Sequence, residues 1–214
     1  MSVSIAVIDY GAGNLRSIRR ALEAVGADVT ISSDTGHVRQ ADAVVFPGVG
    51  AAGAAMDRLH QLGLVDAIGA VVADERPFLG ICLGMQLLFE HQEEGDTRGL
   101  GLLAGQVRSL SPVVKVPQIG WNRVRWIQEA AGSDPADEDD FYFVHSYIVQ
   151  PDDPADVVAV TRYGEIFPII VRHDRVWGTQ FHPEKSGPAG LRLIAGWVDG
   201  VRTNARGRLA SVPA

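Results

Sequence analysis

The chain has 214 residues, of which 46% are apolar, and a formal net charge of −7 at pH 7. That length suffices for one large domain, and the negative charge argues against nucleic acid or an anionic membrane as the main partner. A single cysteine excludes an internal disulfide, and no apolar run is long enough to span a bilayer. The N-terminus lacks the pattern of a signal peptide, so we expect a cytoplasmic protein. We expect no metal site, because the six histidines are scattered along the sequence and one cysteine cannot form a zinc–thiolate cluster. No cofactor is expected either.

Strand and helix patterns alternate through the first half of the chain. Short apolar runs predict buried strands at residues 5–8, 28–32, 43–46 and 78–81. Amphipathic spacing predicts helices over 14–25, over a small-residue stretch ending near 60, and over 64–73. Gly26 is suited to end the first of these helices. The alternation indicates a parallel sheet with helices on both faces.

The second half is rich in strands that few helices separate. Strands are predicted at residues 107–110, 123–127, 141–149, 157–161, 169–172 and 176–181, and a closing amphipathic helix at 190–201. Antiparallel additions to the parallel sheet are therefore expected. The acidic segment 130–140 is interpreted as a solvated loop, and residues 203–214 as a flexible tail. We predict an α/β fold with one domain over residues 1–202.

Cys82, the only cysteine, lies between Gly80 and Gly84, where an apolar run gives way to a helical pattern. A strand that turns sharply into a helix holds a nucleophile out at the turn, and glycines there avoid collisions between a Cβ and neighbouring backbone. The dipole of the following helix favours the thiolate. A buried structural cysteine is the alternative. The flanking glycines, with Gln86 one turn later, favour a reactive thiol.

A thiolate that attacks a carbonyl needs a base and a group that orients the base. His182, followed by Pro183 and Glu184, supplies both. Residues two apart in extended chain project to the same side, so Glu184 can reach the imidazole. The segment ends a predicted strand, which is where sites of open α/β sheets lie. His145 is the alternative base, but without a nearby carboxylate it is more typical of a core or strand-end histidine.

An oxyanion that develops during such an attack needs two inward-facing N–H groups. We expect one from Leu83, directly after the cysteine, and the other from the Val49–Gly50 peptide in the strand-end loop 47–50. Gly48 and Gly50 let this loop approach a substrate, and they allow the peptide to turn its N–H away at rest and inward during turnover. An ordinary strand-to-helix turn is the alternative interpretation.

Two motifs carry a family resemblance. The run Gly-Ile-Cys-Leu-Gly-Met-Gln, followed about a hundred residues later by Phe-His-Pro-Glu-Lys-Ser, resembles the class I glutamine amidotransferases. Segments 9–17, 115–122 and 142–147 are similar to the glutaminase subunits of imidazole glycerol phosphate synthases within that family. The resemblance covers nearly the whole chain, except the acidic segment and the C-terminal tail. It implies a flavodoxin-like sheet, a role in histidine biosynthesis, and hydrolysis of the glutamine side-chain amide by Cys82, His182 and Glu184.

The resemblance also implies a glutamine site. Its contacts would come from Gln86, Glu94 and Ser146, with backbone from Gly48 and the rest of the loop 47–50. The bound amino acid presents an ammonium group that suits Glu94, and amide and hydroxyl groups can complete the polar set. A solvated loop acid beside Glu93 is the alternative for Glu94.

Ammonia released by this chain must be used elsewhere, because the sequence contains neither a phosphate-binding P-loop nor a second substrate domain. Gly11 and Gly13 could begin a dinucleotide-binding fingerprint, but Arg16 occupies the position of its third glycine, so we do not expect dinucleotide binding. The resemblance implies a (β/α)8-barrel cyclase partner that takes the ammonia through an internal channel. Asn14, Trp121 and Lys185 match interface positions of the family. Core packing is the alternative for Trp121.

Other functions stay open at this point. A glutaminase subunit for pyridoxal phosphate or anthranilate synthesis would share the three catalytic residues, although segments 9–17 and 115–122 argue against it. A thiol peptidase or hydrolase with a similar sheet would cleave peptides or esters instead of free glutamine. A catalytically silent module would only regulate a synthase, and the intact triad argues against that.

Overall fold

The computed structural model describes residues 2–11, 13–129 and 139–210, and only the backbone of residues 206–210. Most of the acidic segment, residues 130–138, and the end of the tail, residues 211–214, lie outside the described residues. In the described part of the chain, no helix combines the length and the apolar character needed to cross a membrane.

The first half alternates strands and helices in the order that the sequence predicts. Its elements are β1 (Ser4–Ile8), α1 (Leu15–Ala24), β2 (Asp28–Ser32), α2 (Thr35–Gln40), β3 (Ala43–Gly48), α3 (Ala52–Gln61), α4 (Leu64–Ala73), β4 (Phe78–Cys82) and α5 (Leu83–Gln86). Gly26 follows α1 with φ 82°, the left-handed conformation that commonly ends a helix. The short helix α2 has no counterpart among the predictions.

The second half is mainly β-structure. Its elements are β5 (Phe89–Gln92), β6 (Thr97–Arg98), β7 (Leu103–Ser109), β8 (Gln118–Arg123), β9 (Arg125–Trp126), β10 (Asp140–His145), β11 (Tyr147–Pro151), β12 (Val157–Tyr163), β13 (Glu165–His173), β14 (Val176–Thr179) and α6 (Gly187–Ala210). Short 3₁₀ turns occupy Glu94–Asp96, Pro154–Asp156 and Pro183–Lys185.

An eight-stranded sheet forms the centre, in the order β2-β1-β3-β4-β14-β13-β12-β9. The strands from β2 to β14 run parallel, and β13, β12 and β9 add to them antiparallel. This arrangement confirms the mostly parallel sheet with antiparallel additions. Two smaller sheets, β10-β8 and β11-β7-β5-β6, lie beside it. In the register of β3 and β4, Gly48 lies opposite Cys82, so the loop after β3 and the turn after β4 meet at one edge.

Both faces of the central sheet are covered. Successive residues of β3 point to opposite sides, so that Phe46 packs in one apolar cluster with α3 and α4, and Val45 in another with α1 and α6. Burial on both faces explains why the parallel strands are continuous apolar runs. The prediction of helices on both faces is confirmed.

The prediction of one strand over residues 141–149 is wrong. β10 ends at His145 and pairs with β8, whereas β11 begins at Tyr147 and pairs with β7 in a different sheet. Ser146 is the point at which the chain passes between the two sheets. Two consecutive polar residues, His145 and Ser146, interrupt the apolar run at this point, and the prediction of a single strand passed over them.

Other boundaries also differ. The strand predicted at 123–127 is reduced to the two residues of β9, and β5, β6 and β8 were not predicted. The helix predicted at 190–201 continues to Ala210, into the segment expected to form a flexible tail. The chain can extend this helix because residues 202–210 contain no proline, and the helix continues through Gly207.

Candidate active site

Cys82 stands at a strained turn between β4 and α5. Its backbone has φ 56° and ψ −113°, a conformation that costs a residue with a Cβ about 1–3 kcal/mol. A Cβ on Gly80 would lie 2.8 Å from the Gly84 oxygen and the Met85 nitrogen, and a Cβ on Gly84 would overlap the Phe46 carbonyl oxygen. The prediction that both glycines avoid backbone collisions is therefore confirmed. The helix that follows is a single turn, shorter than the sequence pattern indicates, because the chain enters β5 at Phe89.

His182 and Glu184 form a buried pair close to Cys82. The His182 Nδ1 lies 2.9 Å from Glu184 Oε1, and the side chains are 3% and 0% exposed. Asn14 donates from Nδ2 to the same carboxylate oxygen at 2.5 Å. The second oxygen, Oε2, is buried and has no hydrogen-bond partner among the described residues. The predicted contact between Glu184 and the imidazole is present, and its carboxylate fixes the ring orientation.

The electrostatic surroundings favour a charged His182. Burial lowers its pKa, but the neighbouring Cys82 and Glu184 outweigh burial and raise the pKa from 6.5 to about 9. Because Nδ1 faces Glu184, Nε2 is the ring nitrogen available to the sulfur. Nε2 is buried and reaches no acceptor at hydrogen-bond distance within the described chain. The arrangement therefore keeps His182 charged at neutral pH, where it can act as an acid.

His145 lies in a different environment. It is 6% exposed, and its Nδ1 lies 2.8 Å from the Tyr147 carbonyl oxygen, which can only accept. Nδ1 therefore carries the proton. Nε2 lies 3.1 Å from Gln118 Oε1, and because Nε2 of the neutral ring is an acceptor, this contact is a hydrogen bond only with the Gln118 amide turned so that its NH2 group faces the ring. Burial lowers the pKa of His145 to about 4, with the nearby His182 adding to this effect. His145 is thus neutral with both nitrogens engaged, which favours the interpretation as a strand-end histidine over that of a base.

A cavity of about 300 Å³ opens onto the sulfur. It is lined by Val49, Gly50, Cys82, Leu83, Gln86, Glu94, Pro117, Val144, His145, Ser146 and Tyr147. Seven of the residues predicted for the site thus line one cavity. Gly48 is buried behind this wall, where a Cβ would lie 2.6 Å from the Gly84 nitrogen. His182 and Glu184 are not lining residues but lie behind Cys82.

Two polar side chains of the cavity, Gln86 and Glu94, are held by defined hydrogen bonds. Gln86 donates from Nε2 to the Tyr147 carbonyl oxygen at 3.0 Å and to Gln180 Oε1 at 3.1 Å, which uses both amide hydrogens. Its Oε1 is left as a free acceptor within the described residues. Glu94 accepts from the Ala52 N–H at 2.7 Å with one oxygen, at the start of α3. Glu94 is therefore a fixed, half-buried carboxylate at the cavity, whereas the neighbouring Glu93 is bound to Ser109.

Comparisons with known proteins identify the family of the chain. A family profile described as glutamine amidotransferase class-I matches residues 6–198. The chain belongs to the class I glutamine amidotransferases. It is 47% identical over 204 residues to the imidazole glycerol phosphate synthase subunit HisH of Halobacterium salinarum, covering 92% of this chain and 93% of that protein. The subunit of the same name from Aquifex aeolicus is 50% identical over 191 residues, covering 88% and 92%.

Solved structures of other amidotransferases share the fold. PurLQS from Thermotoga maritima matches with a TM-score of 0.72 at 16% identity, covering 96% of this chain and 100% of that one. Another structure, titled glutamine amidotransferase, matches with a TM-score of 0.73 at 18% identity, covering 91% and 98%. At these identities the likeness concerns the fold alone.

One outer face of this amidotransferase exposes large apolar groups next to the site. Trp121 is 58% exposed and Ile119 is 62% exposed, both on β8. The exposure of Trp121 rules out the core-packing alternative. Tyr142 lies between Trp121, at 6.1 Å between ring centroids, and Lys185, whose Nζ lies 6.0 Å from the ring. Asn14, the third predicted interface residue, turns its amide inward to Glu184 instead.

Sequence reasoning missed two neighbours of the amidotransferase sulfur. Gln180 donates from Nε2 to Cys82 Sγ at 3.9 Å, and the Val144 carbonyl oxygen lies 3.8 Å from the same sulfur. A signal for Gln180 was available, since it lies two residues before His182 in a predicted strand, where residues two apart project to the same side. Glu184 reaches the imidazole differently from the prediction, because it lies in the 3₁₀ turn Pro183–Lys185 and not in extended chain. No sequence signal marks Val144, because it contacts the sulfur through its backbone.

Proposed function

We propose that the chain is the glutaminase subunit of an imidazole glycerol phosphate synthase, which hydrolyses glutamine to glutamate and ammonia and passes the ammonia to a cyclase partner. The observation that carries the proposal is Cys82, held in a strained turn beside the buried His182–Glu184 pair and opening onto the cavity. The names of the HisH relatives support the choice of synthase.

The first chemical step forms a thioester. The Cys82 thiolate attacks the δ-carbon of the glutamine amide, and the carbonyl oxygen takes up the negative charge. The Leu83 N–H begins α5 and has no acceptor within that helix, so it is available to this oxygen, and the N–H of the Val49–Gly50 peptide is the second donor. His182 donates its Nε2 proton to the departing nitrogen, and ammonia leaves as the C–N bond breaks.

The second step hydrolyses the thioester. His182, now neutral, takes a proton from a water molecule, whose oxygen attacks the thioester carbonyl. Collapse of that intermediate breaks the C–S bond, which releases glutamate and restores the thiolate and the imidazolium. Glu184 remains a carboxylate throughout and stabilises the imidazolium each time it forms.

Substrate binding uses the polar groups of the cavity. The free Gln86 Oε1 accepts from an N–H of glutamine, Glu94 balances its ammonium group, and the Ser146 hydroxyl, at the break between β10 and β11, adds a further hydrogen bond. A cavity of about 300 Å³ suits a single amino acid. Gly50, at φ 94°, permits the turn of the Val49–Gly50 peptide that moves its N–H between resting and active positions.

The partner docks on the exposed face around β8. Trp121, Ile119 and Val116 are 58%, 62% and 41% exposed, and Lys185 adds a positive charge at the edge. Exposed aromatic and aliphatic groups of this kind are typical of an interface centre. A (β/α)8-barrel cyclase seated there would receive the ammonia through a closed route and form imidazole glycerol phosphate and aminoimidazole carboxamide ribotide in histidine biosynthesis.

A glutaminase assay tests the proposal. Glutamate formation is measured for the chain alone, with a (β/α)8 cyclase, and with the cyclase plus its ribonucleotide ligand. We expect the complete mixture to be the most active and the Cys82→Ala chain to be inactive, while added ammonium salts still support the cyclase. Turnover stimulated by a pyridoxal phosphate or anthranilate synthase partner instead would contradict the choice of synthase. Absence of turnover with every partner would point to a regulatory module.

A further inference from the structure

A buried sulfur anion needs hydrogen-bond donors, and Cys82 is only 7% exposed. His182 is the nearest charged group, but its Nε2 reaches no acceptor at hydrogen-bond distance within the described residues. The Val144 carbonyl oxygen, 3.8 Å from Sγ, is an acceptor and so stabilises the protonated thiol. Gln180 Nε2, 3.9 Å from Sγ, is a donor and so stabilises the thiolate more than the thiol, whose sulfur is only a weak acceptor. The two groups therefore act on the sulfur in opposite directions.

The direction of the Gln180 amide is fixed by a chain of hydrogen bonds. The Tyr147 carbonyl oxygen can only accept, so the Gln86 NH2 group must face it, at 3.0 Å. The remaining hydrogen of that NH2 group is donated to Gln180 Oε1 at 3.1 Å. Gln180 is completely buried, and turning its amide over would bring two NH2 groups together. Its NH2 group is therefore directed at the sulfur.

We propose that Gln180, oriented by Gln86, is a hydrogen-bond donor to the Cys82 sulfur that favours and aims the thiolate. This inference deepens the proposed function, since it concerns the same nucleophile. Gln86 donates to Gln180, and Gln180 donates to the sulfur. Because both hydrogen bonds point in the same direction, each one polarises the next. Gln180 is then a donor that contacts the sulfur in this structure, and it donates without itself changing charge.

Other titratable groups near the sulfur are His182, with Glu184 behind it, and Tyr10, and Glu94, His145 and Tyr147 line the same cavity. Burial raises the pKa of Tyr10 far above its usual value, and the charge of Cys82 adds to this, so the phenol stays neutral. None of these groups hydrogen-bonds the Gln180 side chain within the described residues. Substitution at Gln180 consequently changes one donor at the sulfur and leaves the ionisable neighbours in place.

Alkylation of the sulfur tests the proposal separately from glutamine turnover. Because the chain has one cysteine, iodoacetamide modification reports Cys82 alone, and its rate against pH gives the midpoint of thiolate formation. In Gln180→Met, which removes the donor, we expect alkylation below the midpoint to slow roughly tenfold and the midpoint to rise by about one pH unit. Gln180→Glu keeps the acceptor for Gln86 but turns a carboxylate oxygen to the sulfur, and should raise the midpoint further.

Gln92→Met is the matched control. Gln92 is also a buried glutamine, 1% exposed, but it donates to the Gln86 carbonyl oxygen and does not contact sulfur. We expect it to lower thermal stability while leaving the alkylation midpoint within about 0.2 units of the unsubstituted chain, because no donor to the sulfur is lost. Circular dichroism and thermal melting establish which variants are folded.

Gln86→Met covers the case in which neither Gln180 variant folds, because it removes the group that orients the Gln180 amide. We expect its midpoint to rise by less than in Gln180→Met. The proposal for Gln180 would be overturned by an unchanged alkylation rate and midpoint in whichever of Gln180→Met, Gln180→Glu and Gln86→Met folds. That outcome would leave the glutaminase proposal intact. Conversely, a shifted alkylation midpoint combined with no glutamine turnover in any complex would overturn the glutaminase proposal and leave the proposal for Gln180 intact.

Discussion

The two walls of the cavity are built in different ways. Val49, Gly50, Cys82 and Leu83 come from loops at the ends of two adjacent parallel strands, β3 and β4. The opposite wall comes from segments 117 and 144–147, which belong to β8, β10, β11 and the connections next to them, in two separate small sheets. A motif of a few residues defines the first wall, but the second exists only where distant strands pack together.

The two buried histidines show the same contrast. His182 and His145 are 2% and 6% exposed, yet the pKa of the first is raised to about 9 and that of the second lowered to about 4. His182 faces a carboxylate and a sulfur, whereas His145 faces a carbonyl oxygen and a neutral amide. Burial alone lowers a histidine pKa, so the charged partner decides which ring can act as an acid.

The largest effect should come from the first wall. Cys82→Ser replaces the thiolate by a hydroxyl that does not ionise at neutral pH, so we expect glutamine-dependent glutamate formation to fall roughly 10⁶-fold. Ammonia-dependent turnover of the cyclase in the same complex serves as the control and should persist. Retained glutaminase activity would rule out the thiol mechanism.

Glu184→Gln tests the charge that separates the two histidines. The amide still accepts from Nδ1, but without the negative charge the pKa of His182 falls, and we expect a loss of roughly 10⁴-fold in rate. Imidazolium is the required acid in the first step, so activity should decline above pH about 9 in the unsubstituted chain and at lower pH in the variant. The full pH–rate profile checks this, and an unmoved alkaline limb would contradict the assignment.

The same pKa predicts a change in stability. A folded-state pKa above the ordinary 6.5 means that the stabilisation from charged His182 is complete below pH 6.5 and is lost as the pH rises to about 9. Urea unfolding across this window should therefore show a decline that is weaker in Glu184→Gln. Equal slopes in both chains would show that His182 is not charged in the folded state.

Gly50→Pro tests the oxyanion donor of the first wall. Proline removes the Gly50 N–H and imposes φ near −65° where the chain has 94°, so we expect a roughly 10²- to 10³-fold loss of glutaminase rate. Gly50→Ala is the matched control, because it keeps the N–H and nothing lies within 4 Å of the added Cβ, so that it isolates the cost of the backbone strain at φ 94°. It should lose less activity than the proline variant, and equal rates in the unsubstituted chain and Gly50→Pro would contradict the role.

Trp121→Ala carries the smallest effect and tests the outer side of the second wall. Because the Trp121 side chain is 58% exposed, loss of its ring should hardly change the thermal stability of the chain. The same loss should weaken cyclase binding roughly 30-fold. Ile127→Ala, at a residue 47% exposed after the edge strand β9, is the control. Calorimetric titration with the cyclase gives both affinities, and an equal effect of the two substitutions would exclude a specific role for Trp121.

The sequence anticipated the features that depend on neighbours along the chain. The strands β1, β2, β3 and β4, the helices between most of them, and the contact of Glu184 with His182 follow from periodicity, glycine placement and a spacing of two residues. Features with a weak local signal were missed. The passage between sheets is marked only by the polar pair His145 and Ser146 within an apolar run, and β8 buries a single side chain, the polar Gln118, so it carries no apolar pattern.

The amino-acid sequence alone thus determined the parallel core, the strained cysteine turn and the histidine–carboxylate pair, because short-range sterics and side-chain spacing act within a few residues. Only the tertiary structure decided which groups surround the sulfur, which of two buried histidines is charged, and that Trp121 faces outward. Those outcomes depend on distances between segments far apart in the chain, and on the charges and hydrogen bonds that such distances allow.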